Sequence, residues 1–141
     1  MGLTLESKNC SLDFGCGGFN NIRTKVAELA AKDIGAHYKR LHTAPFSEEL
    51  RKSFFEKYNK KISEISKAHN GELDGILNFI YAPDCDGEMS VEVCKQIYEV
   101  IKDYDDDICY GYSGRTDCAM FKDFKELVKD CIDSNCPMEW R

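Results

Sequence analysis

The stretch "LTLESKNCSLDFGCGGFNNIR", residues 3–23, decides which fold we expect for this chain. Its first part alternates apolar and polar side chains, with Leu3 and Leu5 set against Thr4 and Glu6, which is the pattern of a half-buried strand. The following "SLDF" can pair with that strand as a hairpin. Apolar residues at helical spacing come after the glycines. The stretch therefore predicts a hairpin that leads into a helix.

The rest of the chain continues this mixture of helices and strands. The helix after the glycines is expected to be capped by Asn20 or Asn21. The further expected elements are a short helix over 33–41, a long helix from Ser47 to near Gly71, a central strand over 75–82, a helix capped by Ser90, an extended segment over 108–112, a helix from near Cys118, and a terminal strand or docked Trp140. This order predicts an α+β fold, a small sheet packed with about four to five helices, in a single globular domain over residues 1–141.

Composition excludes some classes of function. With 141 residues, of which 43% are hydrophobic, the chain can bury one core without covalent cross-links. Its net charge of −6 argues against general DNA or RNA binding, which depends on many Lys and Arg contacts to phosphate. Because no basic-then-apolar leader and no run of eighteen apolar residues occurs, we expect a cytoplasmic protein with no membrane partner.

The chain has eight cysteines, and we expect most of them to act as small buried apolar residues. No C-x-x-C pair occurs, and a reducing cytosol keeps thiols free. A zinc site assembled from scattered ligands stays open as an alternative, but no cofactor is expected.

The glycine cluster is the first candidate binding site. Gly15, Gly17 and Gly18 precede the helix, so backbone N–H groups at its start can face an anion, with Arg23 inside the helix as a side-chain donor. The spacing matches neither a P-loop nor a dinucleotide fingerprint. A tight strand-to-helix turn explains the same glycines without a ligand.

The second candidate site is "YGYSGR", residues 110–115. Tyr110 and Tyr112 can stack on a flat ring, and Arg115 beside Gly114 offers a forked donor for phosphate or carboxylate. The alternative is that the tyrosines share one sheet face while Arg115 pairs with Asp117.

Two patterns permit an enzyme, although no catalytic signature is present. Asp84, Asp86 and Glu88 alternate along a loop and can bind a divalent metal ion, but their spacing does not fit an EF-hand. Cys16 at a helix start can be a nucleophile if a histidine lies beside it. The three histidines of the chain are His37, His42 and His69.

Charge is distributed unevenly along the chain. Between Lys39 and Lys67 eight basic residues stand against four glutamates, whereas acidic residues dominate from Glu72 to Asp107. These runs can be ordinary solvated faces. The basic segment of one copy can also face the acidic segment of another, and we therefore expect a homo-oligomer.

The segments "FIYAPDCDGEMSVEVCKQIYEVI" and "FKDFKELVKDCIDSNCPMEW" resemble a set of small phage and prophage proteins with an Asp-Cys-Asp/Glu-Gly loop before a helix. By analogy, the resemblance implies a phage counter-defence protein in an infected bacterial cell that sequesters a nucleotide signal without hydrolysing it. We therefore expect non-enzymatic binding of a small anionic, nucleotide-like ligand. The alternatives are a small hydrolase using Cys16 or the Asp84, Asp86 and Glu88 site, and a protein–protein inhibitor or adaptor.

Overall fold

A computed structural model describes residues 2–83, 86–104 and 121–141 of the chain. Within these ranges it contains four strands, six α-helices and one 3₁₀ turn. In chain order they are β1 (Gly2–Glu6), β2 (Ser11–Gly15), α1 (Cys16–Ala30), α2 (Lys32–Lys39), the 3₁₀ turn (Arg40–Thr43), α3 (Glu48–Ala68), α4 (Asp74–Ile80), β3 (Gly87–Met89), α5 (Val91–Ile101), α6 (Phe121–Ser134) and β4 (Met138–Trp140). None of the described helices is long and apolar enough to cross a bilayer.

The strands form one antiparallel sheet in the order β2-β1-β4-β3, which confirms the predicted α+β class. The hairpin of β1 and β2 pairs Leu3 with Phe14 and Leu5 with Leu12, as the alternation indicated. Since alternate side chains of a strand point to opposite faces, this register places the apolar set on the buried face. The terminal segment becomes a strand and also buries Trp140.

Aromatic rings connect the sheet to the helices in the core. The centroid of the Trp140 ring lies 5.4 Å from that of Phe19 on α1 and 6.0 Å from that of Phe79 on α4. On the other side Trp140 packs on the backbone of Gly87, where an added Cβ would lie 2.2 Å from the ring. Residue 87 must therefore be glycine if β3 is to remain in place beside β4.

Residues 74–80 form a helix, so the predicted central strand over 75–82 was wrong. Gly75, Ile76, Leu77, Phe79 and Ile80 are all buried in this short helix. Only Asp74 and Asn78 of this helix are exposed, so its short, mostly apolar sequence resembles that of a buried strand. Strand β3 is formed instead by Gly87–Met89, within the segment expected to be a loop.

The start of α1 also differs from the prediction. The helix begins at Cys16, directly after β2, so Gly17 and Gly18 belong to its first turn. Neither Asn20 nor Asn21 is its N-cap, because both lie inside the helix. The Asn20 side chain instead accepts a hydrogen bond from the Tyr38 hydroxyl. The predicted cap of α5 is confirmed, with Ser90 Oγ accepting from the Val93 N–H at 3.3 Å.

Helix α3 begins where predicted and carries an apolar stripe at helical spacing, formed by Leu50, Phe54, Tyr58, Ile62 and Ile65. This stripe is buried along only part of its length. Tyr58 and Ile65 are buried, and Ile62 packs against the core. Leu50, one end of the same stripe, is 62% exposed. The helix ends at Ala68, a few residues before the expected end, and Asn70 and Gly71 just after it take the left-handed conformation with φ of 56° and 73°.

Two cysteines match the expectation of a buried apolar role. Cys94 on α5 and Cys131 on α6 are fully buried in the core. Cys10 and Cys136 are half-buried, and all four are free thiols.

Candidate functional site

A cleft of about 250 Å³ opens beside the first helix, and we call it the Arg23 cleft. Its walls come from α1, from α2 and the 3₁₀ turn, and from the end of α4. The described residues that line it are Asn20, Arg23, Tyr38, Leu41, Ile80, Tyr81, Ala82 and Pro83. This set includes one cation, two phenols and one amide, but no acidic side chain.

Arg23 forms the buried wall of the cleft and is only 2% exposed. Its Nη1 donates to the Ile80 carbonyl at 3.4 Å, and its Nη2 donates to the Pro83 carbonyl at 3.2 Å. The last carbonyls of a helix have no partner within the helix and form its negative end. Arg23 therefore ties α1 to the end of α4 while it brings a positive charge to the cleft.

Aromatic faces surround the rest of the guanidinium group. Arg23 Cζ lies 4.2 Å from the centroid of the Phe19 ring, one helical turn earlier on α1, and 5.6 Å from that of Trp140. Trp140 also donates its indole N–H to the Pro83 carbonyl at 3.0 Å. Ring faces attract cations, so this envelope stabilises a charge that burial alone would penalise.

A chain of hydroxyl groups continues from the cleft into the contact between α2 and α3. The Tyr58 hydroxyl donates to the His37 carbonyl at 2.7 Å and lies 2.8 Å from the Tyr81 hydroxyl. Since the one Tyr58 proton is used on the carbonyl, Tyr81 is the donor to Tyr58. Burial raises the pKa of both phenols, so both stay protonated at neutral pH.

His37 joins the other end of this chain. Its Nε2 lies 3.0 Å from the Tyr58 carbonyl, which can only accept, so Nε2 carries the proton. The ring stacks on Tyr58 with centroids 3.8 Å apart, and Nδ1 is buried with no hydrogen-bond partner among the described residues. Burial lowers the pKa of His37, and the nearby charges of Arg40 and Lys61 lower it further.

Asn20 presents donor groups to the cleft. Its Oδ1 accepts the Tyr38 hydroxyl proton at 3.0 Å, which fixes the orientation of the amide. The Nδ2 group, with two N–H donors, makes no hydrogen bond to the described part of the chain. A ligand in the cleft would thus meet amide donors on one side and the cation of Arg23 on another.

The structure brings together only part of the predicted ligand-binding set. Arg23 lies in the cleft, whereas Gly18 is not among the described residues that line it. The contribution predicted for Gly15 and Gly17 stays a prediction. Tyr110, Tyr112, Gly114 and Arg115 lie outside the described residues, as does Asp117. The role predicted for these residues stays a prediction.

The two enzyme alternatives also stay predictions, and parts of them have other contacts. His37 is committed to Tyr58, and the Nε2 of His69 lies 3.0 Å from a carboxylate oxygen of Asp33. Of the metal-binding set, Asp84 lies outside the described residues. Within the described ranges no group of three or more His, Cys, Asp or Glu side chains is arranged to hold a metal ion.

Sequence reasoning did not assign Asn20, Tyr38 or Tyr81 to a site. The one available signal was that Asn20 and Arg23 lie three residues apart, on one face of a helix. Tyr81 was hidden by the incorrect strand prediction. Comparison of the chain with protein-family models, with curated proteins and with solved structures finds no match.

Proposed function

We propose that this protein binds a small anionic ligand in the Arg23 cleft without converting it chemically. The observation that carries the proposal is the lining of that cleft: a buried guanidinium, a fixed amide with two free donor positions and two phenols, with no acidic side chain among the described residues. Concave sites with a few converging polar groups are the usual form of small-molecule sites.

The chemistry of the lining favours an anion that carries a flat ring. Arg23 and the Asn20 amide can donate to phosphate or carboxylate oxygens. The rings of Tyr38 and Tyr81, whose centroids are 5.6 Å apart at 61°, offer an edge and a face to a planar group. A nucleotide has both parts, which agrees with the nucleotide-like ligand expected from the sequence.

The size of the cleft limits the ligand. Its volume of about 250 Å³ is slightly below the usual range for ligand pockets, about 300–1,000 Å³. One nucleoside monophosphate, or one half of a larger signal molecule, is therefore the unit that we propose for this cleft.

Thermal shift measurements with a ligand panel test the proposal. The panel contains inorganic phosphate, adenosine monophosphate and a cyclic dinucleotide, with uncharged adenosine to isolate the contribution of charge. We expect at least one anion to stabilise the protein, by about 2.7 kcal/mol at a hundred times its Kd, and to be recovered intact after denaturation. A recovered product would instead favour a hydrolase.

Two matched variants locate the binding site. Ala82→Leu adds a side chain inside the cleft, whereas Ala36→Leu adds the same group at an exposed position on α2. Stabilisation by the anion should be lost in the first variant and kept in the second. If no anion in the panel stabilises the unmodified protein, or if Ala82→Leu binds as well as Ala36→Leu, the proposal is wrong.

A further inference from the structure

The first half of α3 and the residue before its cap leave a row of apolar side chains uncovered. Phe46 is fully exposed and Leu50 is 62% exposed, while Phe54 is half-buried. Leu50 and Phe54 continue the stripe that Tyr58 and Ile65 bury against the core. Large apolar side chains that are exposed next to one another mark interaction surfaces. We call residues 46–57 the exposed end of α3.

The charges of the exposed end are balanced. Helix residues 48–57 contain three acidic side chains, Glu48, Glu49 and Glu56, and three basic ones, Arg51, Lys52 and Lys57, so their sum is zero. An acidic protein surface or an anionic lipid surface would select a segment with excess positive charge. A segment with no net charge instead fits a partner surface that also has no net charge.

Two of these charges lie on one flank of the apolar row. Glu49 and Lys57 are eight residues apart, a little more than two turns, so both lie on the same side of the apolar row. Neither has an ion-pair partner within the part of the chain that the structure describes. Ser53, a small residue, lies halfway between them.

We propose that the exposed end of α3 pairs with the same segment of a second copy, antiparallel, about a twofold axis at Ser53. This axis places Glu49 of each copy opposite Lys57 of the other, since residue 53 is midway between them. Leu50 of each copy, about 60° around the helix from Ser53, then lies in the contact, and Phe54 borders it. A twofold interface is closed and uses one surface patch twice, which is the commonest arrangement of soluble homo-oligomers.

The expected dimer is weak. Ten helical residues span about 15 Å, so the contact is smaller than the roughly 800 Å² per partner of a standard interface. We therefore expect a reversible equilibrium that depends on protein concentration. The pairing is independent of the ligand proposed for the Arg23 cleft, and either can fail without the other.

Sedimentation equilibrium over a range from about 5 μM to about 500 μM tests the pairing. The apparent mass should rise from that of the 16.1 kDa monomer toward twice that value. Leu50→Asp should abolish this rise, whereas Ser63→Asp, the same added charge at another exposed position on α3, should leave it unchanged. A constant monomer mass in the unmodified protein, or equal effects of the two variants, would overturn the proposal.

Charge exchange distinguishes pairing with a second copy from binding of this helix to acidic surfaces. Glu49→Lys alone and Lys57→Glu alone should each weaken the dimer at least severalfold, because each places like charges opposite one another. The double variant carrying both changes should restore dimerisation. If Glu49→Lys instead strengthens association, the surface selects negative charge and the twofold pairing is refuted.

Discussion

The two halves of α3 belong to one continuous helix but have different surroundings. In the second half, Tyr58 and Ile65 are buried, and Tyr58 shares hydrogen bonds with His37 and Tyr81. In the first half, Leu50 lies in solvent although it belongs to the same stripe. The apolar pattern of a helix therefore shows which face is to be covered, but not whether this chain or another molecule covers it.

Truncation of one apolar residue in each half should give the largest difference. Ile65→Ala leaves a cavity at a buried position and should lower the free energy of unfolding by about 2–4 kcal/mol. Leu50→Ala removes a side chain that is mostly in water and should change it by less than about 0.5 kcal/mol. Urea unfolding of both variants, at a concentration where the protein is monomeric, measures the difference. Similar losses would mean that the first half of α3 is also packed against the rest of this chain.

Lowering the pH should reduce the stability of the fold through His37, which contacts the second half of α3. This effect should be smaller than that of Ile65→Ala. Because burial lowers the pKa of His37 below its ordinary value of 6.5, the neutral ring stabilises the fold. This contribution is complete above the unfolded pKa and is lost as the pH falls from there through the folded pKa. Urea midpoints between about pH 7.5 and about pH 5 should therefore decrease.

The control for that measurement is His37→Gln. Glutamine can still donate to the Tyr58 carbonyl, but it does not titrate. This variant should lose less stability than the unmodified protein over the same change in pH. An equal loss in both proteins would show that carboxylates, and not His37, cause the acid sensitivity.

Sequence patterns predicted those elements that have one buried and one solvent-exposed face. Polar and apolar positions alternate at a clear period in the hairpin of β1 and β2 and in helix α3. The start of α5 is marked by its capping residue, Ser90. Helix α4 exposes only Asp74 and Asn78 of its seven residues, so its short, mostly apolar sequence also fits a buried strand. The short strand β3 was also missed, because its pairing with β4 joins segments that are about fifty residues apart and leaves little local signal.

The candidate site was predictable only in part. Arg23 was identified as a cation near a helix start, but the sequence does not show that the end of α4 and the Trp140 ring bury it. Its position four residues after Phe19 was a local hint of ring contact. Tyr81 and the hydroxyl chain to Tyr58 depend on how three helices meet, and no single stretch of sequence contains that information.

Hydrogen exchange along α3 at two protein concentrations tests most directly the claim that its halves are covered by different molecules. Amides of 58–68 should be well protected at both concentrations, since this chain itself covers them. Amides of 48–57 should exchange faster in dilute protein and become more protected as the concentration rises. Protection that is equal in both halves, or that does not respond to concentration in 48–57, would contradict the account.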